Sequence, residues 1–337
     1  MKHSLTRLSI PFREPFATAA GVVSARELLL LRVEDEDGAV GFGEAAPFEP
    51  YDGVAIDDVA AALEAGPGGY DPPQARAAKE MAALDLVARR EGRALGKPGA
   101  EAIAVNRTLS AGPPEVVAAR AADGLRAGFA CFKLKVGLPD DTERVAAVRA
   151  AIGPWPALRL DANGSWDVEQ AVGAIESLSA YDLELVEQPC STLEQLAEVR
   201  AAVAVPIAAD ESVATADDVR MAAELGACDV VNVKLAASGG FGAAREALRE
   251  ARRRKLEPFL SSTFDGPWGI AAALQLAASE RLSLACGLAT LELFDAAIAR
   301  ALPPPERGLM PVPLGPGLGV SVDERALAEV LVEELAQ

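Results

Sequence analysis

The chain has 337 residues, 50% of them hydrophobic and 24% charged, which suits one large or two ordinary globular domains with a sizeable core. Its formal charge of −18 opposes nucleic acid and anionic membrane surfaces, since both need a basic footprint, so an anionic ligand must be drawn by charge placed locally. A single histidine, His3, removes Ser-His-Asp hydrolases, His-based metalloproteases and most zinc catalysis from consideration.

No basic-then-apolar leader opens the chain, and no apolar run approaches the roughly 18 residues of a membrane span. Cys131, Cys190, Cys228 and Cys286 form no CxxC or zinc spacing and read as reduced, buried thiols, so a cytoplasmic protein is expected.

The first hundred residues read as a small α+β region. "RELLLLRVEDEDGAVGFGEAAPF" is two apolar strands joined by an acidic, glycine-ended turn at 34–38, the pattern of an antiparallel hairpin. "PPQARAAKEMAALDLVARREGRAL" then reads as an alanine-rich helix with proline at its start.

From 101 to 304 short β-rich runs alternate with amphipathic helices. "AIAVNRTL", "FACFKLKVG", "ALRLDANG", "LELVEQP", "VPIAADES", "CDVVNVKL" and "EPFLSST" are seven strands, and "LSLACGL" at 282–288 supplies an eighth. Strand and helix alternating at this pace predict βαβ units around a parallel sheet, closed as a (β/α)₈ barrel. The tail from 305 to 337 is Gly- and Pro-rich and then helical, and is expected to return to the first region as part of a cap.

Lysine is rare here: seven lysines stand against twenty-five arginines, which together make the 32 basic residues. Two of the seven, Lys133 and Lys135, lie on one face of the strand in "FKLKVG". Arginine is effectively never deprotonated, whereas a partly buried lysine can give up a proton and act as a base.

The polar residues ending successive strands are evenly stepped. Lys135 to Asp161 is 26 residues, Asp161 to Glu187 is 26, Glu187 to Asp210 is 23, and Asp210 to Lys234 is 24, each the length of one βα unit. In a parallel barrel such residues emerge together at the C-terminal mouth, where barrels keep their active sites. Three carboxylates facing one point repel unless a cation sits between them, and an oxygen-only donor set indicates Mg²⁺, with Mn²⁺ as a substitute. With lysines on opposite sides, that geometry serves removal of a proton next to a carboxylate of a small-molecule substrate.

"KLK", "DANGSW", "VEQP", "ADES" and "VNVKL", in this order and spacing, resemble the muconate-lactonising branch of the enolase superfamily, over nearly the whole chain. "GFGEAAPF" is similar to that family's capping domain. The resemblance implies Asp161, Glu187 and Asp210 as metal ligands, Lys135 and Lys234 as the acid/base pair, and Lys133, Asn163 and Glu211 in support. "APFEPYD", "VEQPC", "SSTFDGPWGIAAALQLA" and "ACGLAT" look most like o-succinylbenzoate synthases, which dehydrate a cyclohexadiene carboxylate in menaquinone synthesis. That likeness implies that Lys135 takes the α-proton and returns it to the leaving hydroxyl, while Lys234 lies against the developing negative charge. Dipeptide epimerases of the same branch usually carry an Asp-x-Asp pair at the eighth strand to hold a substrate ammonium. Here that region reads "LACGLATLELFD", without the pair, although racemisation of N-acylated amino acids needs no such clamp. Homo-oligomers are common in the family, so self-association is expected as well.

Other positions carry weaker signals. "GPGLG" at 315–319 and "SGGFG" at 238–242 lack the spacing of nucleotide loops. Gly239 and Gly240 precede a helix whose N–H groups suit either a substrate carboxylate or a tight turn. Ser261, Ser262 and Thr263 end the seventh strand and are placed to meet a distal carboxylate. By resemblance, "PFATAAG" at 15–21 closes over the mouth as a lid and shapes specificity together with Phe48 and Tyr51.

Overall fold

The computed structural model describes residues 2–19, 21–65, 69–96, 99–321 and 323–336. Among them the strands are, in chain order, β1 (Lys2–Thr18), β2 (Gly21–Glu34), β3 (Val40–Ala45), β4 (Ala102–Ala104), β5 (Arg107–Leu109), β6 (Cys131–Lys135), β7 (Ala157–Asp161), β8 (Leu183–Glu187), β9 (Ile207–Ala209), β10 (Val230–Lys234), β11 (Glu257–Ser261), β12 (Leu309–Pro311) and β13 (Leu331–Ala336).

The first three strands and the last form one antiparallel sheet in the order β13-β1-β2-β3. The four leucines of β2 are buried on alternate faces, as the period of two requires. Leu28 and Leu30 join the large core shared with the barrel, while Leu29 and Leu31 pack with Leu5, Val59 and Ala78 in a smaller core under the helices Ile56–Glu64 and Pro73–Arg90. Glycine lets the second of these helices lie directly on β3: a Cβ at Gly43 would stand 1.9 Å from the Ala78 carbonyl oxygen.

Two features of the antiparallel sheet depart from the sequence reading. β1, interrupted by a register shift between Pro11 and Phe16, pairs along most of β2, and its irregular mix of polar and apolar residues hid it. The tail is helical only over Glu324–Val330. Its final residues form β13 because β1 offers an unpaired edge, and pairing there outweighs their helical composition.

Strands β5 to β11 form a parallel sheet in unbroken sequence order, with the helical segments between them on its outer face. The sheet curls until its two edges meet across the segment 284–288. There Cys286 donates its N–H to the Ala104 carbonyl and accepts from Asn106, and Gly287 donates to Leu260 and accepts from Ser262. The eighth position is thus filled by single-residue bridges at Cys286 and Gly287, not by a full strand. The first predicted strand is likewise split, since β4 turns aside to pair antiparallel with β12.

The antiparallel sheet is joined to the barrel by buried charge. Glu44, at the end of β3, accepts from the N–H groups of Gly266 (2.7 Å) and Gly269 (3.2 Å) at the start of the helix Pro267–Glu280. Arg26 of β2 donates to the carbonyls of Thr263 (2.9 Å), Ala46 (2.8 Å) and Glu27 (2.8 Å). Burial, with the Asp265 carboxylate close by, pushes Glu44 up to about 8 against the pull of its two N–H donors and Arg26.

The unfolded chain returns Glu44 to the ordinary range near ~4.3. Between those values the folded protein holds the extra proton, so this group makes stability fall as pH rises across that window. Glu44→Gln is expected to flatten the decline, measured by urea unfolding from about pH 5 to 8, while losing about 1 kcal/mol at the acid end for one acceptor not replaced. An unaltered slope would exclude Glu44 as its source.

Candidate active site

Parallel register puts the charged strand ends side by side. Lys135 lies opposite Asp161 and Asp161 opposite Glu187, while Lys234 lies opposite Ser261 on the far wall. One oxygen from each of Asp161, Glu187 and Asp210 lies within 4.8 Å of the other two, all three residues buried. Left-handed backbone at Asn163 (φ 48°) and Gln188 (φ 40°), just beyond the ends of β7 and β8, costs about 1–3 kcal/mol apiece. Strain of this kind persists where surrounding contacts fix it. The Gln188 side chain accepts from the Asp210 N–H (2.7 Å) and donates to the Cys190 carbonyl (2.9 Å), so it positions the loop that carries the third carboxylate.

Three lysines balance the three acids. Lys133 Nζ donates to Glu187 (2.8 Å) and pairs with Asp161 Oδ2 (2.8 Å), and Lys135 Nζ donates to that same Asp161 oxygen (2.6 Å) and to Asn163 Oδ1 (2.8 Å). Asn163 donates in turn to Glu211 (2.8 Å). Across the mouth, Lys234 Nζ donates to Asp210 and lies 4.2 Å from the Tyr51 ring centroid, while the Tyr51 hydroxyl donates to Asp210 Oδ1 (3.0 Å). The expected site residues from β6 through β10 therefore converge, and Tyr51 arrives from the antiparallel-sheet side.

The charges act on one another strongly. Burial pushes Asp161 up, but Lys133 and Lys135 overcome it and hold the carboxyl well below its ordinary range. Burial alone would lower Lys133, yet Asp161, Glu187 and Asp210 raise it above an ordinary lysine, so it stays a fixed cation. Glu187 is pushed up to about 7, first by burial and then by the other two carboxylates, with Lys133 opposing. Its Oε1 accepts from Lys133 and from Asn232 (3.0 Å), whereas its buried Oε2 has no protein partner. An all-oxygen triad with a buried, unpartnered carboxylate oxygen fits a hard divalent cation such as Mg²⁺.

The cavity above the triad is lined by Lys133, Lys135, Asn163, Asp210, Glu211 and Lys234, and by Phe48 and Tyr51 from the loop after β3. Ser261, Ser262 and Thr263 form part of its wall, as expected. Thr18 represents the lid segment, of which Ala20 lies outside the described residues. Gly239 and Gly240 do not reach the cavity. The helix they precede, Phe241–Arg253, is met by Glu80 of the helix Pro73–Arg90, which accepts from the Gly242 N–H (3.1 Å). A Cβ at Gly240 would fall 1.9 Å from Glu80 Oε2, so a protein carboxylate takes the place considered for a substrate's. "GPGLG" likewise serves as a turn: Leu318 N–H donates to Asp85 (2.7 Å), and Gln275 to the Gly317 carbonyl (3.0 Å).

The sequence reading passed over Asn232, Thr108, Gly287, Thr290 and Phe264. Asn232 was visible in principle, two residues before Lys234 and so on the same face of β10. Thr108, Gly287, Thr290 and Phe264 belong to the wall where the barrel closes, and no charge or spacing marks them.

A profile described as "Enolase C-terminal domain-like" matches residues 116–326. The o-succinylbenzoate synthase of Thermobifida fusca is 37% identical over 333 residues, covering 96% of this chain and 92% of that one. The L-Ala-D/L-Glu epimerase of Bacillus subtilis is 32% identical, covering 82% and 84%. Among solved structures, the dipeptide epimerase of Enterococcus faecalis complexed with Mg and the dipeptide L-Leu-L-Tyr superposes with a TM-score of 0.88 at 27% identity, covering 95% of this chain and 99% of that one.

Calorimetric titration with Mg²⁺ checks the triad. Asp210→Asn is expected to weaken binding by more than ~100-fold, and Tyr51→Phe, which keeps the ring and loses only the hydroxyl on Asp210, by about 10-fold. Native-like affinity in Asp210→Asn, with the fold intact by circular dichroism, would remove this residue from the ligand set.

Proposed function

The chain belongs to the enolase superfamily, in its muconate-lactonising branch, and from that membership we propose that it removes the proton next to a substrate carboxylate as an o-succinylbenzoate synthase, a carbon–oxygen lyase of menaquinone synthesis. Asp161, Glu187 and Asp210 would hold Mg²⁺, or Mn²⁺ in its place, which supplies positive charge for the substrate carboxylate and the enediolate.

The chain's own groups account for the rest. Lys133 is held between Asp161 and Glu187, whereas Lys135, two residues nearer the mouth on the same strand face, has its Nζ aimed by Asp161 and Asn163, so the proton-transfer role is given to Lys135. Lys135 takes the α-proton and then delivers it to the leaving hydroxyl, which departs as water. Lys234, stacked on Tyr51 across the mouth, meets the negative charge that develops on the substrate ring. The working units are a cap from residues 1–100 with the tail 305–337, and a barrel from 101–304.

One observation carries the choice within the branch. The wall that closes the barrel between β11 and β5 brings Ser261, Ser262, Gly287 and Thr290 to the cavity, hydroxyls and a bare backbone with no carboxylate among them. Such a wall suits a neutral or anionic flank and gives a substrate ammonium nothing to pair with, which favours dehydration over dipeptide epimerisation. The second reading is an N-acylamino acid racemase, supported by Lys135 and Lys234 standing on opposite sides as two-base chemistry needs. The four cysteines are unpaired, in keeping with work in the cytoplasm, and self-association remains part of the reading.

Lys135→Ala is expected to lower dehydration of the cyclohexadiene substrate by ~10³-fold or more in a spectroscopic assay, with Mg²⁺ affinity and thermal midpoint near native. Activity retained in that variant removes Lys135 as the base. Fast α-proton exchange on N-succinyl amino acids by the native enzyme, without dehydration of the cyclohexadiene, would move the function to the second reading.

A further inference from the structure

Phe264 sits three residues beyond β11 with φ +60°, and among the described residues it is the one aromatic in the left-handed region. A bulky side chain adopts that backbone only where its surroundings impose it, and such outliers gather at ligand clamps. The imposition is visible on both sides. Ser262 N–H donates to the Gly287 carbonyl (3.2 Å), and its hydroxyl shares a hydrogen bond with Thr290 (2.8 Å). Thr263 gives its carbonyl to buried Arg26 (2.9 Å), while its N–H and hydroxyl both donate to Asp265 Oδ1 (3.1 Å each).

The ring so placed meets three others edge to face: Phe12 at 5.2 Å, Phe16 at 5.1 Å and Phe48 at 6.1 Å between centroids. Phe16 immediately precedes Ala17 and Thr18, where the Ala17 N–H is held by Ser110 Oγ (2.8 Å) and Thr18 faces the cavity. Phe48 opens the turn that carries Tyr51, and its ring also meets Arg26, whose guanidinium lies 4.9 Å from the ring centroid. Phe264 itself lines the cavity. One barrel side chain is therefore the common seat of both segments that roof the site.

We propose that Phe264 is a specificity-determining residue, a strained wedge on the barrel that fixes how closely the segments at 16–18 and 48–53 approach the mouth and presents an apolar surface to the unreactive hydrocarbon flank of the carboxylate substrate. The lysines and carboxylates then act on whatever that roof admits. Its substrate half rests on the proposed lyase reading, whereas the seating of the two segments does not.

The test compares Phe264→Leu and Phe264→Gly with Phe264→Tyr in the full-length protein loaded with Mg²⁺. Leucine removes the ring but keeps the strained backbone, glycine removes the ring and relieves the strain, and tyrosine keeps both ring and strain. Hydrogen exchange at the amides of Ala17, Tyr51 and Asp52 is expected to quicken about tenfold in the leucine and glycine variants, with β6 to β8 and Mg²⁺ affinity unaltered and the tyrosine variant near native. With the cyclohexadiene substrate, the loss is expected in KM, about tenfold, far more than in kcat. Unchanged exchange at both segments in the leucine and glycine variants, or acceleration spread evenly through the barrel strands, would overturn the proposal. If native protein fails to dehydrate the cyclohexadiene, the lyase reading falls, and the exchange measurements still decide whether Phe264 seats the roof.

Discussion

Three carboxylates crowded at the mouth of an apolar barrel are the constraint to which the rest of the structure answers. Like charges at such distances in a buried site repel far more strongly than in water. The parallel register that aligns Asp161 with Glu187, the turn that Gln188 builds for Asp210, and the lysines on both flanks each exist in relation to that repulsion. Within the protein, the positive charges of Lys133, Lys135 and Lys234 cancel those three negative ones. Glu211, held by Asn163, is a further acid beside them, and a divalent cation would add two positive charges that draw a substrate carboxylate.

The lysines consequently divide by surroundings, although two of them share a strand. Lys133 reaches two carboxylates and is locked as a cation. Lys135, one pleat nearer the mouth, touches one carboxylate and an amide, and the amide is itself held by Glu211. Lys234, on the far wall, pairs with Asp210 and lies against an aromatic face. Arginine at the Lys135 position would supply charge without a removable proton, a difference that bears on this position alone among the three.

Much of this was legible in the sequence because a parallel barrel turns chain spacing into spatial convergence. Steps of 23 to 26 residues set Asp161, Glu187, Asp210 and both flanking lysines at the ends of successive strands. What stayed hidden has physical causes. β13 and the bridges at Cys286 and Gly287 depend on edges offered by distant strands, and neither has a periodic pattern of its own. Gly239 and Gly240 read as an anion cradle because a helix start always offers N–H groups, and only the fold reveals that Glu80 already occupies it. Phe264 is one phenylalanine among ten, and nothing in its type announces a left-handed backbone.

Reaction and selection are therefore held by different kinds of interaction. The charged cluster is built within one sheet, on strands whose register fixes the relative positions of its residues to the rigidity of the barrel core. The roof is built from β1 and the turn after β3, and it reaches the barrel through a few buried links: Glu44 to the start of the helix at 267, Arg26 to Thr263, and the phenylalanine cluster. Arg26 belongs to the polar links and the aromatic one at once, since it binds the carbonyl preceding Phe264 and lies over Phe48. A substitution in these links leaves the lysines and the three carboxylates untouched. The similar proteins include a synthase at 37% identity and an epimerase at 32%, so overall likeness separates them poorly. The residues that separate such activities are then to be sought where the roof meets the barrel, in groups that touch neither the three carboxylates nor the lysines.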